Sequence, residues 1–261
     1  MCKIIGIIGG MGPEATLDLY RHIINLTPAV YDQDHFRVLI YSNPKIPDRT
    51  LAIAGRGESP LAALVESARL LESAGASIIA MPCNASHHYL GELRTAVSIP
   101  ILDMIAETCG ALRKRRPEAK TAGLLASNGT VQSKIYHRAL EAEGIEIILP
   151  DESDQVFIQS AIAEVKAGKH TEETRERLLV AGMRLIEAGA RAIILGCTEI
   201  PLIFDSTAFP HCSLNSTRIL AEAVVNAAGF RPNTFQVDWQ PPKTPKSRLA
   251  PETKAEFTLG K

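Results

Sequence analysis

The sequence predicts an α/β protein built from two similar Rossmann-like parallel-sheet domains related by pseudo-twofold symmetry. Three observations predict it. Short apolar runs such as Ile4 to Ile8, Ser77 to Met81 and Ala192 to Leu195 alternate with helical stretches, as strands buried on both faces of a parallel sheet do. Leu71 to Cys83 superimposes on Leu185 to Cys197 at an offset of 114 residues, with six of thirteen positions identical. Lys3 to Gly9 matches Lys120 to Ala126, and Gly12 matches Gly129, at an offset of 117. Two offsets this close mark a duplicated unit.

The elements follow in order. Ile4 to Ile8 reads as a buried first strand, and Gly9-Gly-Met-Gly-Pro13 as a tight turn into a helix that runs to about Leu26, with Pro13 in its first turn. Arg37 to Tyr41 is the second strand, followed by a proline-stiffened loop, Ser42 to Thr50, that carries Lys45 and Arg49. Ser59 caps a helix with Pro60 at its first position, which stops at Gly75 before the strand Ser77 to Met81. A helix from about Ser86 to Val97, a short strand Pro100 to Leu102 and a helix through Arg116 close the first half.

The second half repeats this order. Strand Ala122 to Ala126, turn Ser127 to Thr130, a helix to Glu143 and strand Ile145 to Leu149 are followed by helices Ser153 to Ala167 and Glu172 to Ala188. The strand Ala192 to Leu195 then leads to Cys197, and Asn215 or Ser216 caps a last helix to about Ala228. From Arg231 onward the chain has no apolar period and reads as a disordered tail.

Composition narrows the function. Twenty-eight basic residues balance twenty-nine acidic ones, so no field favours nucleic acid or an anionic membrane, and a small polar ligand is the expected partner. The five cysteines include no CxxC pair, which fits a reducing, cytoplasmic setting. No apolar run approaches the ~20 residues of a membrane span. The glycine turn is not the GxGxxG fingerprint and no Walker lysine follows it, so no nucleotide cofactor is expected. His87 and His88 lack a third ligand at metal spacing, so no metal is expected either.

In parallel sheets ligands sit beyond the carboxyl ends of the strands. The glycine turn, Arg49, Cys83, Ser127 to Thr130 and Cys197 all fall there. A lone strand-end cysteine usually acts as a small buried hydrophobe, and Cys2, Cys109 and Cys212 are read that way. A repeated pair is different. Cys83 and Cys197 each precede a predicted helix start, an environment that lowers a thiol pKa from ~8.5. Two such groups on opposite faces of one substrate suit stereoinversion, with one removing the Cα proton as thiolate and the other returning a proton as thiol.

Gly9-Gly-Met-Gly-Pro-Glu-Ala-Thr16, Ile46-Pro-Asp-Arg-Thr50, Pro82-Cys-Asn84 and Gly196-Cys-Thr-Glu199, one at each predicted strand end, together resemble the aspartate racemases of the aspartate/glutamate racemase superfamily. The resemblance spans about Lys3 to Gly229. It implies a cofactor-independent isomerase that interconverts L- and D-aspartate, with Cys83 and Cys197 as the two bases and a homodimer as the assembly. It implies that the last helix returns to the first domain, giving residues 1–102 with 213–230 as the first unit and 103–212 as the second.

The resemblance also assigns the remaining site residues. Arg49 and Lys166 would take the substrate's side-chain carboxylate, while Asn84, Thr130 and Thr198 would hold the α-carboxylate. Met11 would line the site, Glu199 would order its hydrogen bonds and His87 would tune Cys83. Ala85 and Ser86 stand where the family usually has threonine and alanine, so one substrate hydroxyl contact is either lost or supplied by Ser86. Asn215 stands where aspartate is common. A glutamate or broad-specificity racemase, another carbanion isomerase or decarboxylase of the superfamily, and a non-catalytic acid-binding protein are the alternatives.

Overall fold

The computed structural model describes residues 3–204, 209 and 213–229. The expected tail at 231–261, Cys2 and Cys212 lie outside the described residues.

In the first half, β1 (Ile5–Gly9) leads through the glycine turn to α1 (Pro13–Leu26), β2 (Val38–Ser42), α2 (Arg49–Ile53), α3 (Leu61–Ser73) and β3 (Ile78–Ala80). A 3-10 turn over Ala85–Tyr89, α4 (Leu90–Ala96) and α5 (Met104–Arg115) complete it. The second half contains β4 (Thr121–Leu125), α6 (Asn128–Gln132), α7 (Ile135–Glu141), β5 (Glu146–Ile148), α8 (Glu152–Lys166) and α9 (Glu172–Glu187). It continues with β6 (Ile193–Leu195), α10 (Ile200–Ile203), β7 (Ser213–Asn215) and α11 (Ser216–Ala228).

Both sheets are parallel and share one order. The first runs β2-β1-β3, extended past β3 by a parallel bridge between Ile79 and Ile101, and the second runs β5-β4-β6-β7. The repeat seen in the sequence is kept residue by residue in the register: Gly6 pairs with Ile79 in the first sheet, and their counterparts Gly123 and Ile193 pair in the second. The reason for glycine at both positions is steric. A Cβ on Gly6 would lie 3.3 Å from the Leu71 Cβ, and one on Gly123 would lie 3.0 Å from the Leu185 Cβ, so each helix rests directly on strand backbone.

Strand alternation then sorts the core. Ile5, Ile7, Ile78 and Ala80 join α1 and α11 on one face, while Ile8, Ile79 and Met81 join α3 on the other. The chain's return spans both halves. Leu220, Ala221 and Val224 of α11 pack with Leu19 and Ile23 of α1, whereas Ile219 packs with Ile105, Cys109 and Leu112 of α5. The return begins later than the grouping of 213–230 with the first unit places it, because residues 213–215 hydrogen-bond as β7 to β6 of the second sheet.

Several local expectations shift for identifiable reasons. The expected loop through Thr50 gives way to helix at Arg49, because the Asp48 carboxylate caps α2 by accepting from the Leu51 amide at 2.8 Å. The helix after Cys83 begins as a 3-10 turn and becomes α-helical only at Leu90. The helix expected through Glu143 divides at Lys134, which takes a left-handed conformation (φ 56°). Among the described residues no helix is long and apolar enough to cross a membrane.

At the first glycine turn main chain presses directly on main chain. Gly10 has φ +91°, and a Cβ there would sit 2.3 Å from the carbonyl carbon of Asn43. Gly55 also has positive φ, +69°, but open space around it. Gly10→Ala is therefore expected to cost about 3 kcal/mol or more, combining backbone strain with a collision against main chain. Gly55→Ala should cost only about 1 kcal/mol. Urea denaturation of the two variants measures the difference, and equal losses would contradict the steric assignment.

Candidate active site

Strand phase brings the two cysteines to equivalent places. Cys83 continues the face of Ile79 and Met81, and Cys197 continues the face of Ile193 and Leu195, each within its own half's core cluster. Both open onto one cleft walled by residues from both halves. Met11, Arg49, Asn84, Ala85, Thr130, Lys166, Thr198 and Glu199 line it with them. Asp48, Thr50 and Ser127 complete the wall. The halves meet closely beside the cleft: a Cβ on Gly129 would come within 2.9 Å of the Thr50 Cα.

Two of the expected residues stand behind the wall. Ser86 is fully buried and donates its hydroxyl to the Met11 thioether at 3.2 Å, so it braces Met11 and leaves the cleft surface to Ala85. His87 holds main chain. Its Nε2 accepts from the Met104 amide at 3.1 Å, which places the ring proton on Nδ1, 2.9 Å from the Cys83 carbonyl. Burial pulls the His87 pKa below its ordinary value, so the ring is a neutral clamp between the Cys83 loop and the start of α5. His88 is exposed and stacks edge-on with Tyr89.

Arg49 is buried and partly committed. Its Nη1 donates to the carbonyls of Ile46 at 3.0 Å and Pro47 at 2.9 Å, and its Nη2 reaches the Met11 carbonyl at 3.4 Å. Its Nε is buried without a partner. A buried unpaired donor on a guanidinium is costly, and the Nε–Nη2 edge is the geometry that grips a carboxylate with two hydrogen bonds.

Lys166, the last residue of α8, is exposed as a residue yet lines the cleft. Desolvation opposes its charge, but attraction from Glu199, Cys197 and Cys83 outweighs it and raises the pKa, so the ammonium stays protonated. Thr130 is pinned by Ser127, whose hydroxyl lies 3.2 Å from the Thr130 hydroxyl.

The two cysteines differ electrostatically. Cys197 donates its thiol to Glu199 Oε2 at 3.0 Å, and the Thr198 hydroxyl donates to the same oxygen at 3.2 Å. Burial, reinforced by the Glu199 charge, pushes the Cys197 thiol well above its ordinary pKa despite the opposing Lys166. The expectation of a depressed thiol pKa at Cys197 is therefore corrected. Only the four-residue α10 follows it, too short to provide much dipole, and a carboxylate lies two residues on. Ala85 occupies the place in the first half that Glu199 occupies in the second, so Cys83 has no such carboxylate from its own loop. Cys109 is a core residue, its thiol pushed up to about 12 by burial.

Two buried side chains behind the cleft, Tyr136 and Ser216, had no functional signal in the sequence, and both hold Asn84. Tyr136 Oη donates to Asn84 Oδ1 at 2.7 Å, Asn84 Nδ2 donates to Ser216 Oγ at 3.2 Å, and Ser216 Oγ donates to the Leu195 carbonyl at 2.8 Å. Asp48, exposed beside Arg49, also joins the cleft unannounced.

Comparison with known proteins agrees on one family. The family model described as Asp/Glu/Hydantoin racemase matches residues 8–224. The broad specificity amino-acid racemase RacX of Bacillus subtilis (strain 168) is 30% identical over 229 residues, covering 85% of this chain and 97% of that protein. The structure of Picrophilus torridus aspartate racemase superimposes with a TM-score of 0.79 at 34% identity, over 88% of this chain and 96% of that one. An aspartate racemase homologue from Pyrococcus horikoshii OT3 superimposes at 0.68 and 26% identity, over 87% and 99% of the two chains.

The Cys197–Glu199 contact generates a direct test. In the free protein, alkylation of Cys197 by iodoacetamide, read on its own peptide by mass spectrometry, should accelerate only above the ordinary thiol range. Glu199→Gln removes the nearby charge and should move that profile to lower pH, with roughly ten-fold faster labelling at fixed pH for each pKa unit recovered. An unchanged profile would contradict the assigned role of Glu199.

Proposed function

Given that the chain belongs to the Asp/Glu/hydantoin racemase family, which makes it an isomerase of the amino-acid racemase type, we propose that it interconverts L- and D-aspartate by a two-cysteine, two-base proton transfer at Cα. The reading of an acidic substrate is carried by one observation, the buried and unpartnered Nε of Arg49 beside the Lys166 ammonium in the cleft shared by both cysteines.

In the proposed reaction the substrate's side-chain carboxylate takes the free Nε–Nη2 edge of Arg49 and the Lys166 ammonium. Asn84, Thr130 and Thr198 hold the α-carboxylate, into which the electron pair released at Cα is delocalised. Burial, with the charge and hydrogen bond of Glu199, keeps Cys197 as the thiol in the free protein. Cys83 then takes the Cα proton as thiolate, and Cys197 delivers its proton to the opposite face. The next turnover in reverse starts with these roles exchanged. The halves present their strand ends to one cleft, which fits attack from two sides. A homodimer belongs to the same proposal and is checked by light scattering.

A second reading, broader substrate specificity, is favoured by the 30% identity to the Bacillus subtilis relative across nearly its whole length. Arg49 separates the two. A neutral substrate side chain would leave the buried guanidinium edge unpaired, at about 1 to 3 kcal/mol or more, so aspartate should exceed neutral amino acids roughly ten-fold or more in kcat/KM. Racemisation followed by circular dichroism gives the ratio for aspartate, glutamate, alanine and leucine. Arg49→Met should remove the preference for acids. Equal rates on neutral and acidic substrates in the unaltered protein would overturn the aspartate reading.

A further inference from the structure

We propose that Tyr136 and Ser216 are positioning residues that set the polarity of the Asn84 amide, so that its one uncommitted N–H is offered to a carboxylate in the cleft. The inference rests on the racemase reading for what the carboxylate is. The polarity itself follows from hydrogen-bond chemistry alone.

A main-chain carbonyl can only accept, so the Leu195 oxygen, 2.8 Å from Ser216 Oγ, takes the Ser216 hydroxyl proton. Ser216 Oγ is then left to accept, and the Asn84 atom 3.2 Å from it must be the amide nitrogen. The Asn84 carbonyl oxygen therefore points the other way, to Tyr136 Oη at 2.7 Å, which must donate. Burial raises the Tyr136 pKa well above its ordinary value, so the phenol keeps the proton this requires. Tyr136 and Ser216 are fully buried and Asn84 nearly so, which leaves no water to compensate a reversed amide. With the Ser216 proton on Leu195, this is the amide orientation that gives both Asn84 atoms a complementary partner. The amide carries two N–H groups, one spent on Ser216, and Asn84 lines the cleft.

The same chain ties the halves together. Asn84 directly follows Cys83, Leu195 lies two residues before Cys197, and the contacts span 132 residues of sequence from Asn84 to Ser216 and 52 from Asn84 to Tyr136. Loss of the Tyr136 hydroxyl would strand the Asn84 oxygen and free the amide to rotate, turning an acceptor toward an anionic ligand.

Tyr136→Phe tests this with a nearly isosteric change. Acting through a contact to the substrate carboxylate, it should raise KM about ten-fold and, because charge builds on that carboxylate, lower kcat as well. In an Asn84→Ala background the same substitution should leave KM unchanged, because the group it positions is gone. Ser216→Ala should reproduce the rise in KM and is the second variant if Tyr136→Phe folds poorly. Side-chain amide resonances of Asn84 in ¹⁵N-labelled protein, assigned by their absence from Asn84→Ala, should shift and lose exchange protection in both variants. An unaltered KM in Tyr136→Phe, or an equal rise in the Asn84→Ala background, would overturn the proposal. Unaltered amide resonances would also overturn it. A wild-type protein that inverts no amino acid would instead refute the racemase reading, and the amide resonances would still decide the polarity.

Discussion

Cys83 and Cys197 close strands of two separate sheets, and a shared site exists only while those strand ends stay face to face. The contact that enforces this is the buried run of hydrogen bonds from Tyr136 through Asn84 and Ser216 to the Leu195 carbonyl. A hydrogen bond of this kind adds only ~0.5 to 1.5 kcal/mol net, but leaving any buried member unpaired costs ~1 to 3 kcal/mol. The network thus penalises displaced arrangements more than it rewards the native one. Apolar packing supplies the bulk: α11 spans both cores, and the missing Cβ at Gly129 lets α6 approach Thr50.

Duplication gave the two halves equivalent backbones but unequal chemistry. Gly6 and Gly123, Leu71 and Leu185, and Cys83 and Cys197 occupy matched positions, down to the strand register. Two residues beyond the cysteines the match ends, with Ala85 on one side and Glu199 on the other. Glu199 turns Cys197 into a hydrogen-bond donor and holds its proton, while Lys166 and Arg49 keep positive charge in the cleft. Local sequence beside one cysteine thus gives Cys197 a carboxylate partner that Cys83 lacks in its own loop.

Much of this was legible in the sequence, for physical reasons. Strands buried on both faces appear as apolar runs, helices stop at glycines, and duplication leaves matched offsets. Those signals place both cysteines at strand ends and gather Arg49 and Thr130 near them, whereas Lys166 enters only through the family resemblance. Contacts between side chains far apart in the chain left no such trace. Tyr136 sits in an unremarked helix and Ser216 reads only as a helix start, because their roles depend on where two halves meet. The family resemblance offered Ser86 as a substrate contact, but its hydroxyl turns inward to Met11. The helix-start argument for Cys197 failed because α10 is one turn long, while burial and then the Glu199 charge push the thiol the other way.

The central claim is that each half contributes one base to a single Cα. Solvent deuterium exchange in Cys83→Ser and Cys197→Ser, each given L- and D-aspartate separately in D2O and followed by proton NMR, tests it most directly. The account predicts that inversion collapses in both variants while Cα exchange without inversion survives for one enantiomer only, and for opposite enantiomers in the two. Undiminished racemisation in either variant, or exchange of the same enantiomer by both, would contradict it.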